Sequence, residues 1–161
     1  MALVDILKLS ATMENKKVGL SEERIKAIIP VARQYISFWR EYPDIFVEFL
    51  CGEENENKFS LYFYQRVFLR AVMRHRYAYA TFPRAYSKSF LSILVLKLRC
   101  ILFPGSHLFV TTGGKEQAAG IAKEKSDELC RLIPGLNNEL DLTRGKTKSS
   151  KDNLELIFKN V

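Results

Sequence analysis

The sequence predicts an α/β fold, in which parallel strands alternate with crossover helices. Two short apolar runs, residues 77–82 and 107–112, are each followed by a turn and then by a longer pattern of helical periodicity. These helical patterns predict helices at 88–102 and at about 115–132, which proline and glycine end at 104–105 and at 134–135. A repeated order of strand, turn and helix with this punctuation is typical of a parallel sheet with flanking helices.

Helical patterns also precede the first predicted strand. One follows Ser21, which is its predicted N-cap. This pattern contains Pro30, which predicts a kink or two short helices. Another is predicted at 43–50 and is ended by Gly52. The chain therefore begins with a helical segment.

The chain is basic. The 161 residues include 25 Lys and Arg against 18 Asp and Glu, which gives a formal net charge of +7 and a pI near 9.4. This charge is compatible with a polyanionic partner and equally with a basic domain that binds no nucleic acid.

The sequence contains no pattern typical of a metal site or a membrane span. The three cysteines lie far apart without a C-x-x-C pair, and the two histidines are isolated, so free thiols are expected rather than metal ligands. The longest apolar run, 90–103, is interrupted by Lys97 and Arg99. We therefore expect no membrane-spanning segment.

Residues 82–89 link the first predicted strand to the next helix and read F-P-R-A-Y-S-K-S. The phosphate-binding P-loop pattern is G-x-x-x-x-G-K-[ST], in which backbone N–H groups, a helix N-terminus and a lysine meet a triphosphate. Lys88 and Ser89 match this pattern, whereas Phe82 and Ser87 replace its two glycines. The alternative is that serine here only caps a helix.

The loop residues have distinct predicted roles in nucleotide binding. Lys88 reaches the β- and γ-phosphates as a point charge, and Arg84 is suited to bidentate phosphate contact. The hydroxyl of Ser89 coordinates the Mg²⁺ that accompanies the nucleotide. The backbone N–H groups that surround the phosphates belong to Ala85, Tyr86, Ser87, Lys88 and Ser89. The alternative role of Arg84 is a salt bridge at the sheet edge.

Tyr64 and Gln65 are candidates to bind the adenine base. Glutamine both donates and accepts hydrogen bonds, as an adenine edge requires, and an aromatic ring can stack on the base. The alternative is an ordinary pair on a helix, used for packing and for solvent contact.

Candidate nucleic-acid contacts follow the second predicted strand. Thr112 ends this strand and Lys115 comes soon after it, at the carboxyl edge where ligands bind in open α/β folds. Arg74 and Arg76 add positive charge before the first strand. The alternative is that Thr112 and Lys115 belong only to a capped helix start.

The acids with which a P-loop ATPase organises its metal and activates water are not recognisable in the sequence. No apolar strand ends in Asp-Glu, and Asp127-Glu128 lies within a predicted helix. Residues 154–158 alternate as a third strand. We therefore predict a helical N-terminal segment, residues 1–58, and the N-terminal part of a P-loop ATPase domain, residues 59–161, truncated before the Walker B strand.

As a set, these motifs resemble the N-terminal ATPase region of the large subunit of tailed-bacteriophage terminases. The set comprises Tyr64-Gln65, Pro83-Arg84 with Ser87-Lys88-Ser89, and Thr111-Thr112 with Lys115, Gln117 and Ala118. The resemblance covers residues 40–161, and Ser87 departs from the glycine that is usual in the family.

The resemblance implies an ATPase motor that uses ATP and Mg²⁺ to translocate double-stranded DNA into a procapsid. It implies that Gln65 reads adenine, that Lys88 and Arg84 bind the phosphates during catalysis, and that Ser89 binds Mg²⁺. It also implies partners and a location. These are the phage portal, the terminase small subunit, a homo-oligomer in the intact motor, a nuclease domain beyond this chain, and the host cytoplasm at the procapsid portal.

Two other functions fit the same sequence. One is a basic, non-enzymatic module that binds DNA or a protein partner through the arginines of one helix and through the basic loop 143–151. These arginines are Arg66, Arg70, Arg74 and Arg76. The other is a fragment of a helicase-type NTPase, since such enzymes share the order of glutamine, P-loop and threonine-rich strand.

Overall fold

The computed structural model describes residues 22–52, 59–111, 113–140, 148–149 and 154–158. Its elements in this part of the chain are the helices α1 (Glu22–Glu41), α2 (Pro43–Cys51), α3 (Phe63–Arg74), α4 (Lys88–Leu102), α5 (Lys115–Leu132) and α6 (Gly135–Asn138), and the strands β1 (Lys148–Ser149) and β2 (Leu154–Glu155). Helices account for 65% of the described residues. Within these residues, no helix combines the length and the apolar character needed to cross a membrane.

The chain divides into two compact units, Met1–Tyr35 and Ile36–Val161, and the division lies inside α1. In the first unit the described residues all belong to α1, which includes Pro30 within one continuous helix rather than two short ones. The predicted N-cap, Ser21, lies outside the described residues. The domain boundary predicted after residue 58 stays a prediction.

Helix α4 is the centre of the second unit, where it packs against both α3 and α5. Leu91, Leu94 and Leu98 are fully buried, and their spacing of three and four residues places them on one face of the helix. Burial of each such leucine contributes about 1.5 to 3 kcal/mol. The bounds predicted for this helix, 88–102, are confirmed.

The C-terminal end of α4 is satisfied by a side chain from α1. The last carbonyl, Leu102 O, accepts two hydrogen bonds from Arg40, one from Nε at 2.8 Å and one from Nη2 at 2.6 Å. The same guanidinium lies 4.4 Å from the centroid of the Phe103 ring. The helix dipole favours a cation at this end.

The predicted α/β fold with a parallel, P-loop-type sheet is wrong. The described residues contain no parallel strand pair, since β1 and β2 are two residues each and run antiparallel. An isolated antiparallel bridge joins Leu140 to Phe158. The predicted strands 77–82 and 107–111 form no ladder, and Thr112 lies outside the described residues.

The packing of the helices explains this difference. Helix α4 packs directly on α3 and on α5, whereas the two extended segments flank a groove beside α3 and α4. Their aromatic side chains are largely exposed, with Tyr79 at 95% and Phe109 at 85%. An apolar run forms a ladder only beside a second strand, and the pattern does not specify that partner. Of the third predicted strand, 154–158, Leu154–Glu155 pair as β2, and Phe158 forms the isolated bridge to Leu140.

A buried carboxylate joins α2 to α3. Pro43 begins α2, at a position where its missing N–H costs no helical hydrogen bond, and Asp44 beside it is fully buried. Both carboxylate oxygens accept hydrogen bonds from Arg70 at 2.8 Å, and Arg66 Nη1 lies 3.6 Å from Oδ2. Burial opposes ionisation of Asp44, but the hydrogen bonds and positive charge of Arg70 outweigh it, so the pKa of Asp44 is lowered.

Replacement of Asp44 by Asn is expected to destabilise the fold by about 2 to 4 kcal/mol, because Arg70 loses its anionic partner within the α2–α3 contact. Urea denaturation measures this loss as a change in the free energy of unfolding. Glu48→Gln is the matched control, since Glu48 is half exposed and pairs with Arg66 at the surface. This control should cost at most about 1 kcal/mol. Equal losses from the two substitutions would contradict the role given to Asp44.

The lowered pKa of Asp44 also predicts how stability depends on pH. The folded-state pKa lies below the unfolded value of about 3.9. The stabilisation is therefore complete above that value and is lost as pH falls through the folded-state pKa. Unfolding free energies measured between about pH 6 and pH 2 should decline more steeply for the natural chain than for Asp44→Asn. Parallel profiles would show that Asp44 does not titrate as proposed.

Candidate functional site

The loop before α4 has a backbone conformation that is uncommon for residues with side chains. Residues 83–87 connect the extended segment 77–82 to α4, and two of them have positive φ, Ala85 at 67° and Ser87 at 51°. Ser87, with ψ of 26°, is left-handed, a conformation that costs about 1 kcal/mol or more and that glycine adopts freely. At the second glycine position of the P-loop pattern, the chain thus adopts a conformation that normally selects glycine.

At the N-terminal end of α4, the first backbone N–H groups have no hydrogen-bond acceptor among the described residues. The first helical hydrogen bond runs from Leu91 N to Ser87 O at 2.9 Å. The N–H groups of the three preceding residues, 88–90, therefore have no partner within the helix. Ser87 occupies the N-cap position, but its side chain makes no capping hydrogen bond. Free N–H groups at the positive end of the helix dipole are suited to bind an anion.

The loop lines a cleft of about 810 Å³. Three parts of the chain form it, and they are distant in sequence. The start of α3 and the residues before it contribute Phe59, Ser60, Tyr62 and Gln65, the loop and the start of α4 contribute residues 83–90, and α5 contributes Lys125, Glu128 and Leu132. The structure therefore brings Gln65 and the predicted phosphate-binding residues into one site.

Two cations of the cleft are available to a ligand. Arg84 and Lys88 are both exposed and line the cleft. Within the described part of the chain, neither side chain has an ion pair or a hydrogen bond, so Arg84 does not form the salt bridge considered as its alternative role. Ser89, the predicted Mg²⁺ contact, lines the same cleft beside Lys88.

Gln65 is buried and already makes hydrogen bonds within the fold. Its Oε1 accepts a hydrogen bond from Tyr62 N at 2.9 Å, which caps the start of α3. Its Nε2 donates to Tyr64 Oη at 3.4 Å. Adenine recognition by Gln65 requires an acceptor as well as a donor. In this structure the acceptor oxygen is used by the helix cap, and the amide nitrogen keeps its second proton for a ligand.

Tyr62, Tyr64 and Tyr86 form an aromatic row, which we call the tyrosine cluster. Tyr62 and Tyr86 line the cleft, whereas Tyr64 packs between them and does not line it. The rings of Tyr62 and Tyr64 are parallel within 8° with centroids 6.2 Å apart, and Tyr86 packs on Tyr64 with centroids 5.2 Å apart. Tyr62 is mostly exposed. The cluster presents an aromatic face on which a planar base can stack. Tyr64 and Tyr86 were predicted as site residues, whereas Tyr62, at the N-cap position of α3, was not.

Two charged residues of the cleft, Lys125 and Glu128, were not predicted as site residues. With Leu132 they follow a spacing of three and four residues, which places them on one face of α5. Glu128 Oε2 accepts a hydrogen bond from Lys125 Nζ at 2.9 Å, and Glu124 Oε1 accepts another at 3.0 Å. These hydrogen bonds raise the pKa of Lys125. The periodicity indicates the shared face, but only the packing of α5 on α4 shows that this face meets the loop.

Two of the predicted nucleic-acid contacts, Arg74 and Arg76, are not among the described residues that line the cleft. Arg74 pairs with Glu41, and the guanidinium of Arg76 lies 5.4 Å from the centroid of the Tyr77 ring. Lys115 is the first residue of α5, and Thr112 lies outside the described residues.

The described residues contain no group of three or more His, Cys, Asp or Glu side chains placed to hold a metal ion. The Mg²⁺ predicted for this site would come with the nucleotide. The oxygen atoms that line the cleft include the Ser89 hydroxyl and the Glu128 carboxylate. Hydroxyl and carboxylate oxygens are the ligand types that Mg²⁺ prefers, so the donor chemistry fits.

Comparison of this chain with models of known protein families, with curated proteins and with solved structures finds no match. The resemblance to the terminase large subunit is therefore one of sequence motifs.

The left-handed conformation of Ser87 predicts an uncommon response to glycine. Ser87→Gly should leave the free energy of unfolding unchanged or raise it by up to about 1 kcal/mol, because the strain of the side chain is removed. Ser87→Val should lower it by about 1 to 2 kcal/mol, because a β-branched side chain fits this conformation poorly.

Ser92→Gly is the matched control for this experiment. Ser92 is an exposed serine inside α4, where glycine should cost about 1 kcal/mol. A loss of stability in Ser87→Gly as large as that in Ser92→Gly would show that Ser87 is not strained.

Proposed function

We propose that the cleft binds the triphosphate of ATP together with Mg²⁺, and that the chain is the ATP-binding part of a phage DNA-packaging motor of the terminase type. The main support for this proposal is the backbone conformation of the loop before α4. Ser87 is left-handed at the glycine position of the P-loop pattern, directly before Lys88 and the free N–H groups of α4. The loop thus has the backbone features of a phosphate site without the glycines.

The proposed binding mode uses three kinds of positive charge. The N–H groups of residues 88–90 donate to phosphate oxygens along the dipole of α4. Lys88 acts as a mobile point charge toward the terminal phosphates. Arg84 contributes a planar guanidinium that can make two parallel hydrogen bonds to one phosphate. A triphosphate is the ligand that uses all three.

The tyrosine cluster and Gln65 are proposed to bind the base. Tyr62 and Tyr86, which line the cleft and pack on Tyr64, provide the stacking face, and Gln65 Nε2 provides a single hydrogen-bond donor. Since Gln65 Oε1 is used by the helix cap, recognition of the base depends mainly on stacking.

Hydrolysis in this site would be accelerated by electrostatic stabilisation. Mg²⁺, when bound, neutralises charge on the phosphates and polarises the bond that breaks. Lys88 and Arg84 stabilise the charge that develops on the transferring phosphoryl group. In the intact protein, we propose that this step drives double-stranded DNA into the procapsid, within a homo-oligomer at the portal and with the terminase small subunit. The sequence resemblance is the support for this wider role.

A basic, non-enzymatic module that binds DNA is a second candidate, and a specific groove favours it. This groove has a volume of about 470 Å³. Among the described residues that line it, Arg76, Lys88 and Arg99 carry positive charge and none is acidic. A polyanion fits such a lining. By contrast, three arginines of the basic helix have partners within the fold. Arg70 pairs with Asp44, Arg66 with Asp44 and Glu48, and Arg74 with Glu41.

Titration of the chain with a fluorescent ATP analogue and Mg²⁺ tests the first proposal. We expect saturable binding that Lys88→Ala weakens by about tenfold or more, equivalent to about 1.4 kcal/mol. Lys123→Ala is the matched control, because Lys123 is an exposed lysine of α5 that does not line the cleft. It should leave the affinity unchanged.

Two outcomes would contradict the ATP-binding proposal. One is the absence of saturable binding, and the other is equal affinity of the natural chain and Lys88→Ala. A parallel titration with labelled DNA separates the two candidates. The second candidate predicts strongly salt-dependent DNA binding that does not change on addition of Mg-ATP.

A further inference from the structure

Helix α4 contains a buried lysine that no carboxylate of the described residues contacts. Lys97 is 2% exposed, and its Nζ donates a hydrogen bond to Cys130 Sγ on α5 at 3.1 Å. Within the described residues, this sulfur is the single polar partner of the side chain. A buried ammonium group normally has an anionic partner, because burial without one is costly, and a thiol is a weak acceptor. The Lys97 side chain is thus not explained by a salt bridge.

The contact brings a nitrogen nucleophile against an oxidisable sulfur. Cys130 is half-buried, so a molecule as small as hydrogen peroxide can reach it. A sulfenic acid, the first product of cysteine oxidation, condenses with a neighbouring nitrogen to form a sulfenamide. The remaining requirement is a nitrogen at short distance, and the Nζ of Lys97 meets it.

We propose that Lys97 and Cys130 form a site of reversible covalent modification, in which peroxide converts the pair into a sulfenamide cross-link between α4 and α5. In the first step the sulfur of Cys130 attacks peroxide. The O–O bond breaks, an S–O bond forms, and water leaves, so the sulfur is oxidised by two electrons and the peroxide is reduced. In the second step the neutral amine of Lys97 attacks the sulfur. An S–N bond forms, the S–O bond breaks, and the hydroxide leaves with a proton from the nitrogen as water.

The other two cysteines are less suited to this chemistry. Burial raises the pKa of the Cys51 thiol and that of the Cys100 thiol. A raised pKa lowers the fraction of thiolate, which is the form that reacts with peroxide. Oxidation of Cys51 and Cys100 by dilute peroxide should therefore be slow. This modification does not depend on nucleotide binding, since neither Lys97 nor Cys130 lines the cleft.

The test is intact-mass spectrometry of the Cys51→Ala/Cys100→Ala chain after treatment with dilute hydrogen peroxide. With Cys130 as its single cysteine, this chain cannot form an intramolecular disulfide, which would give the same mass change. We expect a loss of about 2 Da, which a thiol reductant such as dithiothreitol reverses. The same chain carrying Lys97→Met should instead gain about 16 Da and react with dimedone, because its sulfenic acid has no amine to attack it.

Peptide mapping of the oxidised natural chain keeps the proposal testable if the double variant does not fold. Trypsin should then yield a peptide pair joined through residues 97 and 130 that dithiothreitol separates. The proposal is overturned if neither chain shows the cross-link. It is also overturned if the loss of about 2 Da persists in the Lys97→Met chain, because a backbone nitrogen would then be the partner.

Discussion

The burial of α4 is the constraint on which both the fold and the candidate site depend. Leu91, Leu94 and Leu98 are fully buried where α4 packs with α3 and α5, and this packing holds the helix in place. Its two ends then differ. The carbonyl of Leu102 accepts hydrogen bonds from Arg40. The first N–H groups of the helix lie at the cleft and have no hydrogen-bond acceptor among the described residues. One helix therefore combines an end that is satisfied within the fold with an end that is free to bind an anion.

The placement of the acidic residues determines which of the basic residues are available to a ligand. In the sequence, the arginines of α3 look like one basic surface. In the structure, Asp44 is buried between α2 and α3, and it holds Arg70 through two hydrogen bonds. Two cations of the cleft, Arg84 and Lys88, have no such partners among the described residues, whereas the third, Lys125, is paired with Glu124 and Glu128. The net charge of the chain therefore says little about where a polyanion binds, because ion pairing within the fold removes part of the basic surface.

The cleft combines a strained loop with side chains from two other helices. Residues in sparsely populated backbone regions persist only where the surrounding structure holds them, and they are enriched at binding sites. Ser87 is such a residue, and it directly precedes Lys88. Gln65 and two members of the tyrosine cluster, Tyr62 and Tyr64, come from the start of α3, Tyr86 comes from the loop before α4, and Glu128 comes from α5. The site is thus assembled by the packing of three helices, and a change in the orientation of any of them would separate its parts.

The sequence by itself determined the helices, because their hydrogen bonds lie within each segment and their ends are marked by local residues. The bounds of α4 and α5 follow from apolar periodicity and from the proline and glycine after each helix. It also indicated the loop with Arg84, Lys88 and Ser89, which the structure places in one cleft with Gln65. Tertiary structure alone decided that residues 77–82 and 107–111 form no sheet, that the oxygen of Gln65 caps a helix, and that Glu128 faces the loop. Each of these depends on what lies opposite a segment in space, and local sequence does not encode that partner.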